Sequence, residues 1–271
     1  MDDLLDLTSR VEAGHFWFRG FRGFVAPAIR ELAGTRRDLR LLDCGCGTGH
    51  NLATLLRPYG RAFGFDLTSG GLLHARAAGF PLARADMRGI PFQSARFDIV
   101  TSFDVFQYVQ DDAAAMKEMA RVLKPGGGLV VTAAALDVLR GGHAGTWPEV
   151  RRYTTDRMRT IVEGAGLEVR RLTYLFASLF PAMLAVRMLS RRRGESDPDR
   201  RGGPSPLDGA RGALSDSRRA GPPKTDGDDW EMQVPSAPIN TALTWMLSGE
   251  AALSRHIPMP MGSSVMVVAR K

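Results

Sequence analysis

Five short runs in the first half of the chain, residues 39 to 45, 61 to 67, 81 to 87, 97 to 103 and 127 to 135, are apolar with little alternation of polar positions. Such runs predict strands buried on both faces, as in a parallel sheet. The stretches 50 to 58, 69 to 79 and 111 to 123 have helical length, and the third runs into Lys124-Pro125-Gly126-Gly127-Gly128, where proline and glycine stop a helix and begin a turn. Strand and helix alternating this often imply right-handed crossovers and a doubly wound α/β sheet. Two later runs, 166 to 175 and 263 to 271, raise the expected count to seven strands, mostly parallel.

Between those last two runs the pattern breaks. Residues 191 to 229 are rich in proline, glycine and charge, with almost nothing large and apolar, and predict a disordered tether. An apolar segment at 176 to 189 and a helical stretch at 239 to 256 flank it. The predicted organisation is an N-terminal helical lid over 1–38, a ligand-binding core over 39–175, a helical insertion over 176–262 containing the tether, and a last core strand over 263–271.

Composition changes this picture little. No run of about 18 uninterrupted apolar residues and no basic and apolar leader is present, so a cytoplasmic protein is expected. The net charge is +7, yet it is spread along the chain, and only four of the 36 basic residues are lysines. A diffuse arginine excess of this kind does not predict nucleic-acid binding. Cys44 and Cys46 stand too close in sequence for an unstrained disulfide and lack the further ligands of a metal site, so they read as small buried fillers, and no metal is expected.

The candidate chemistry lies at the first strand's end, in Asp43-Cys44-Gly45-Cys46-Gly47-Thr48-Gly49. A glycine turn between a strand and its helix lets backbone N–H groups approach an anionic ligand. The spacing departs from the dinucleotide fingerprint, because the third glycine is Gly49 and His50 stands where that fingerprint has it. An acid at Asp43 would also repel a pyrophosphate. A ligand with an ammonium and a carboxylate suits both features, with the amides facing its carboxylate and Asp43 its ammonium. The amino-acid end of S-adenosyl-L-methionine is such a ligand. Asp66, ending the second strand, is placed to accept from ribose hydroxyls, and Asp86 with Met87 to offer an acceptor and an apolar wall to adenine.

Through "DCGCGTG", "GFD", "ADM", "FDIVTSFDVFQYV" and "ARVLKPGGGLVV", over Leu39 to Ala135, the chain resembles the class I S-adenosylmethionine-dependent methyltransferases. The resemblance implies a Rossmann-like methyltransferase fold and a donor site formed by Asp43, Gly45, Cys46, Gly47, Gly49, Asp66, Leu67, Asp86, Met87 and Ser102. Where many relatives carry a histidine after the fourth strand, this chain has Tyr108. The N-terminal "HFWFRGFR" and a C-terminal pattern of Asn240, Leu243, Glu250, Pro260, Gly262 and Ser264 resemble a bacterial subgroup of the type 11/12-like methyltransferases. That subgroup also has "RRY", here Arg151, Arg152 and Tyr153, preceded by His143; Ala144 and Glu149 stand where an aspartate and a second histidine are expected.

Methyl transfer from a sulfonium demands mainly alignment and exclusion of water, and a general base is helpful without being required. His143 is the first candidate base, with a surface-loop histidine as the alternative; Asp104 and Tyr108 are the second candidates. His15, Phe16 and Trp17 form either a lid over the donor or an aromatic contact with the sheet. The segment 176–193, apolar and then arginine-rich, predicts either a cap on the acceptor pocket or a helix lying on an anionic membrane face. The expected partner is a small, apolar or lipid-like acceptor methylated on oxygen or nitrogen. A nucleic-acid methyltransferase and a donor-binding protein without methyl transfer are the alternative readings.

Overall fold

The computed structural model describes residues 2–140, 149–192 and 233–271. His143, and the predicted tether beyond Arg192, lie outside the described residues.

Seven strands form one sheet: β1 (Leu39–Cys44), β2 (Gly60–Asp66), β3 (Leu82–Arg84), β4 (Phe97–Phe103), β5 (Leu123–Ala134), β6 (Glu168–Leu175) and β7 (Ser264–Arg270). Their spatial order is β3-β2-β1-β4-β5-β7-β6. β1 to β5 pair in parallel, while β7 runs antiparallel to both its neighbours, with Val131 opposite Val267 and Leu172 opposite Val267 from the other side. Because strand order reverses at β1 and β4, the crevice beyond their C-terminal ends is where a doubly wound sheet binds ligands.

Each face of the sheet buries its own apolar layer. One contains Leu42, Phe97, Val100, Val131 and Val267 with Met116 and Met119 of α4 (Asp112–Val122) and Met158, Ile161 and Val162 of α5 (Thr155–Glu163). The other packs Leu41, Ile99, Val130 and Met266 against Phe24, Ala28 and Ile29 of α2 (Phe16–Ala33), Leu52 and Leu56 after the glycine turn, and Leu72 of α3 (Ser69–Ala77). α2 is therefore part of the core. The element that lies over the glycine turn is the short α1 (Asp2–Val11), where Leu5 would be 3.6 Å from a Cβ built on Gly47.

α7 (Ala237–Leu253) packs along α2 at close range, since Gly20 faces Leu247 and Gly23 faces Ala251. A Cβ on Gly20 would come within 2.4 Å of Leu247 Cδ1. α6 (Phe180–Arg192) begins where the Glu250 carboxylate of α7 accepts from the Ala177 N–H at 2.7 Å and the Ser178 N–H at 2.9 Å. The charged acceptor satisfies amides at the start of the helical segment that would otherwise lack partners.

Three elements differ from the expected pattern. Residues 50 to 58 form a π-helical turn (Leu52–Leu56) followed by a 3₁₀ turn (Arg57–Tyr59) instead of an α-helix. Pro58 has no N–H to continue an α ladder, and the Arg57 N–H reaches back five residues to the Leu52 carbonyl. Lys124 to Gly128 does not separate a helix from a strand; it lies within β5, as an irregularity where pairing moves from Phe97–Leu123 to Ile99–Gly128. Finally, α5 was absent from the expected helices, although Met158, Ile161 and Val162 carry a helical spacing and the Thr154 hydroxyl caps its start by accepting from the Arg157 N–H.

Candidate functional site

The site begins with a carboxyl group that has nowhere to discharge. Asp43 is 1% exposed at the end of β1, and the Thr101 hydroxyl of β4 donates to its Oδ1 at 2.7 Å. Among the described residues no cation pairs with it. Burial pushes its pKa up to about 7; the Thr101 bond acts downward and the nearby Asp66 charge upward.

Immediately after it the chain turns over β2. The Gly45 and Cys46 N–H groups donate to the Phe65 carbonyl at 2.9 and 3.0 Å. Gly45 has φ +78° and Gly49 φ +80°, and added Cβ atoms would lie 2.5 Å from Val105 Cγ2 and 2.7 Å from Ala75 Cβ respectively. Both positions thus demand glycine for backbone and space. Asp66 closes the arrangement: its Oδ2 accepts from the Gly47 N–H at 2.8 Å, and its Oδ1 from the Thr68 N–H at 2.8 Å and the Thr68 hydroxyl at 2.6 Å. Two carboxyl groups and a tight, amide-bearing turn therefore share one end of the sheet.

The other expected donor-site residues are distributed less simply. Met87 is buried and joins the apolar layer beside Phe63 and Phe97, whereas Leu67 is exposed. Asp86 lies two residues beyond β3, where Arg88 engages both its oxygens, Nε to Oδ1 at 3.0 Å and Nη2 to Oδ2 at 2.7 Å. Those bonds hold its pKa below the usual carboxylate range, so an adenine amino group would share this acceptor with a guanidinium. The Ser102 hydroxyl is fully buried and donates to the Cys44 carbonyl at 2.9 Å, which ties β4 to β1. Cys44 and Cys46 are free and buried, and burial pushes both thiols well up, so neither is poised as a thiolate.

A second cluster lies past β4. Asp104 has φ +55°, its N–H donates to the Thr132 carbonyl at 3.1 Å, and its Oδ1 accepts from the Thr132 hydroxyl at 3.1 Å. Burial raises its pKa to about 6, with Thr132 opposing and the Glu149 charge adding to the rise. Tyr108 is also raised, first by burial and then by Glu149. Glu149 is gripped by Arg152 through Nε at 2.7 Å and Nη2 at 2.9 Å. Tyr153 of the same "RRY" run is fully buried; its hydroxyl donates to Asp112 at 3.0 Å, where Arg151 and Arg157 also converge at 2.9 Å. Asp104, Tyr108, Glu149 and Arg152 are thus brought together, while Tyr153 serves the packing beneath them. Reading the sequence missed Glu149 and Arg152 as members of this cluster because their neighbours come from β4 and β5, far away in the chain.

Of the two readings for the N-terminal aromatics, the sheet contact describes their positions. The ring of His15 caps α2 by accepting from the Trp17 N–H at 3.1 Å, and Trp17 stacks on Phe176 at 4.0 Å between ring centres. Asn240 links this corner to α7, accepting from the Phe16 N–H at 2.8 Å and donating to the Gly14 carbonyl at 3.0 Å. What reaches the glycine turn is Glu12, a residue not singled out in the sequence. The Thr48 hydroxyl donates to its carboxylate at 2.8 Å, and Arg22 donates to its backbone carbonyl at 2.8 Å.

Comparisons with known proteins bear on the family and the fold. Residues 42–131 match the family model described as a methyltransferase domain. The chain is 33% identical over 214 residues to a demethylmenaquinone methyltransferase of Roseiflexus castenholzii, covering 70% of this chain and 83% of that protein. It is 28% identical over 160 residues to a protein described as a probable S-adenosylmethionine-dependent methyltransferase from Mycolicibacterium smegmatis, covering 57% and 60%. For other curated relatives the chain spans about half their length, 46% and 53% in two cases. Among solved structures, the complex of the Haloferax volcanii Trm112 methyltransferase activator with a methyltransferase aligns with a TM-score of 0.59 at 19% identity, covering 99% of this chain and 94% of that one, a likeness of fold. The chain belongs to the class I S-adenosylmethionine-dependent methyltransferases.

Proposed function

We propose that the protein transfers a methyl group from S-adenosylmethionine to an oxygen or nitrogen of a small, apolar or lipid-like metabolite. The observation that carries this reading is the buried Asp43 carboxyl, without a cation among the described residues, beside a glycine turn that no larger side chain could follow. An incoming ammonium supplies the missing charge; the Gly45 and Cys46 amides stay on the Phe65 carbonyl, and the Gly47 N–H, now on Asp66, is the one the ligand's carboxylate would draw away. When bound, S-adenosylmethionine supplies a methyl already activated by the sulfonium. Asp66 would accept from the ribose hydroxyls, exchanging bonds it now makes with Gly47 and Thr68.

The acceptor side is assigned to the Asp104 and Tyr108 cluster. With its pKa raised to about 6, Asp104 is close enough to neutral pH to take a proton from a hydroxyl or ammonium acceptor. His143, the first candidate base in the sequence, lies outside the described residues and stays a candidate beside Asp104. The apolar acceptor is supported by the relative from Roseiflexus castenholzii, which by its description acts on demethylmenaquinone. It is also supported by α6, which exposes Val186, Met188 and Leu189 alongside Arg187 and Arg191, a composition suited to an anionic lipid surface. The test is to supply the protein with S-adenosylmethionine and metabolite fractions: S-adenosylhomocysteine is released with an apolar fraction if the reading holds. Tight donor binding without release under any fraction would instead favour a donor-binding protein that transfers no methyl.

A further inference from the structure

α7 is a helix of 17 residues with a single charged side chain, Glu250. Its buried line, Asn240, Thr244, Leu247 and Ala251, recurs at helical spacing and lies toward α2. The Glu250 carboxylate is taken up by the Ala177 and Ser178 amides. The side turned outward therefore carries no charge along the whole helix. Ile239, Trp245, Met246 and Leu253 are exposed on it, Trp245 to 75%, and Ile257 adds an exposed apolar side chain just beyond the helix end. A surface helix of a globular domain ordinarily places charged and polar residues on that side. An exposed apolar strip about 25 Å long instead marks a surface that something else covers.

Charge decides what covers it. Arg255 and His256, both exposed, follow the helix directly. Arg255 is also near enough to Arg171 of β6 for the two charges to oppose each other, and the acid that acts on Arg171 in the other sense is the exposed Glu31. At its other end α7 has no acid in the first turn, where a helix N-terminus is itself partly positive. A second copy packed antiparallel would set each Arg255 beside the partner's N-terminus, and one packed parallel would set the two arginines side by side. Both arrangements bring like charges together. Anionic headgroups answer the positive groups at both ends, the acyl region takes the apolar side chains, and the indole of Trp245, an apolar ring with one polar N–H, suits the boundary between them. We propose that the outward side of α7 docks the protein on an anionic lipid surface, with Trp245, Met246 and Leu253 entering the acyl boundary and Arg255 meeting the headgroups. This deepens the lipid-like acceptor of the reading above and makes α7 the principal contact.

The test is flotation of the full chain with phosphatidylcholine vesicles, with and without phosphatidylglycerol, in the absence of donor. The wild type should float with the anionic vesicles and not with the neutral ones. Trp245→Ser should keep the wild-type thermal midpoint and weaken partitioning by about 10-fold or more. Arg255→Glu should weaken it by about 10-fold through the reversed charge, while Leu189→Ser on α6 stays within about threefold of wild type. A wild type that floats with neither vesicle, or a folded Trp245→Ser that floats as well as the wild type, would overturn the inference. So would sedimentation showing a dimer that Trp245→Ser dissociates, since a second copy would then cover the face. Methyl transfer is read separately, as S-adenosylhomocysteine released: its absence with flotation intact would strike the enzymatic reading alone, and its presence without flotation the docking alone.

Discussion

At the scale of single residues the account turns on Asp43 and Asp66. Asp43 titrates near 7 in the folded chain against an ordinary value of 3.8, because its buried site penalises the charge. A carboxyl whose folded pKa is raised binds protons more tightly when folded, so its contribution to stability is greatest below 3.8 and is lost as pH rises through 7. The difference is on the order of 4 kcal/mol. Denaturant unfolding from pH 4 to 8 should therefore show a fall in stability that is largely absent in Asp43→Asn; parallel curves for the two proteins would contradict a buried, uncompensated acid. Donor binding runs the other way. It requires the ionised form, so affinity should climb between pH 6 and 8 in the wild type. Asp66→Ala should weaken the donor by about 1 to 3 kcal/mol through the ribose hydroxyls left unpaired, and calorimetry giving an unchanged affinity would remove that role. These two acids were readable in the sequence, since their places at strand ends follow from the glycine turn and the spacing of the apolar runs. Glu12, Arg22 and Thr101 were not, because nothing in an isolated stretch tells which helix residue will cross the sheet end or which strand neighbour will donate to a carboxyl.

At the scale of elements, the sheet was legible from continuous apolar runs, and the helices less completely. The glycines of Lys124 to Gly128 suggest a turn, but β4 on one side and Lys271 at the chain's end on the other supply partners, as in the Gly126 N–H donating to the Lys271 carbonyl at 2.9 Å. Residues 50 to 58, of helical length in the sequence, instead form a π-helical turn over Leu52–Leu56, and Pro58, with no N–H, stands in the 3₁₀ turn that follows it. The C-terminal pattern of Asn240, Glu250 and Gly262 was visible, yet its meaning was not, because each residue acts on a distant segment. Asn240 joins α7 to the α1–α2 link, Glu250 receives the amides that begin α6, and Gly262 lies so close to β6 that a Cβ would fall 2.1 Å from the Leu175 carbonyl oxygen. Glu250→Ala should cost about 1 to 2 kcal/mol as the cap is lost, and Asn240→Ala a similar amount by leaving the Phe16 N–H and Gly14 carbonyl unpaired. Thermal unfolding measures both; midpoints equal to that of the wild type would mean these contacts contribute nothing to the fold.

At the scale of the whole molecule, the glycine turn opens at the C-terminal end of the parallel strands with α1 over it, while α7 packs along α2 on one face of the sheet. The described helices include none long and apolar enough to cross a membrane. An acceptor drawn from lipid would bring the exposed apolar and arginine-bearing side of α6 to a surface instead. Flotation with vesicles should then recover the protein with anionic lipid and not with neutral lipid; recovery with neither would argue that α6 only caps a pocket. The central claim, that the tip of β1 receives a zwitterion, is tested most directly by calorimetric titration of the wild-type chain at pH 8 with S-adenosylmethionine and, separately, with a nicotinamide dinucleotide. One-to-one binding of the sulfonium donor, displaced by S-adenosylhomocysteine and with no heat from the dinucleotide, is the predicted result; binding of the dinucleotide, or no binding of the sulfonium donor, would contradict it.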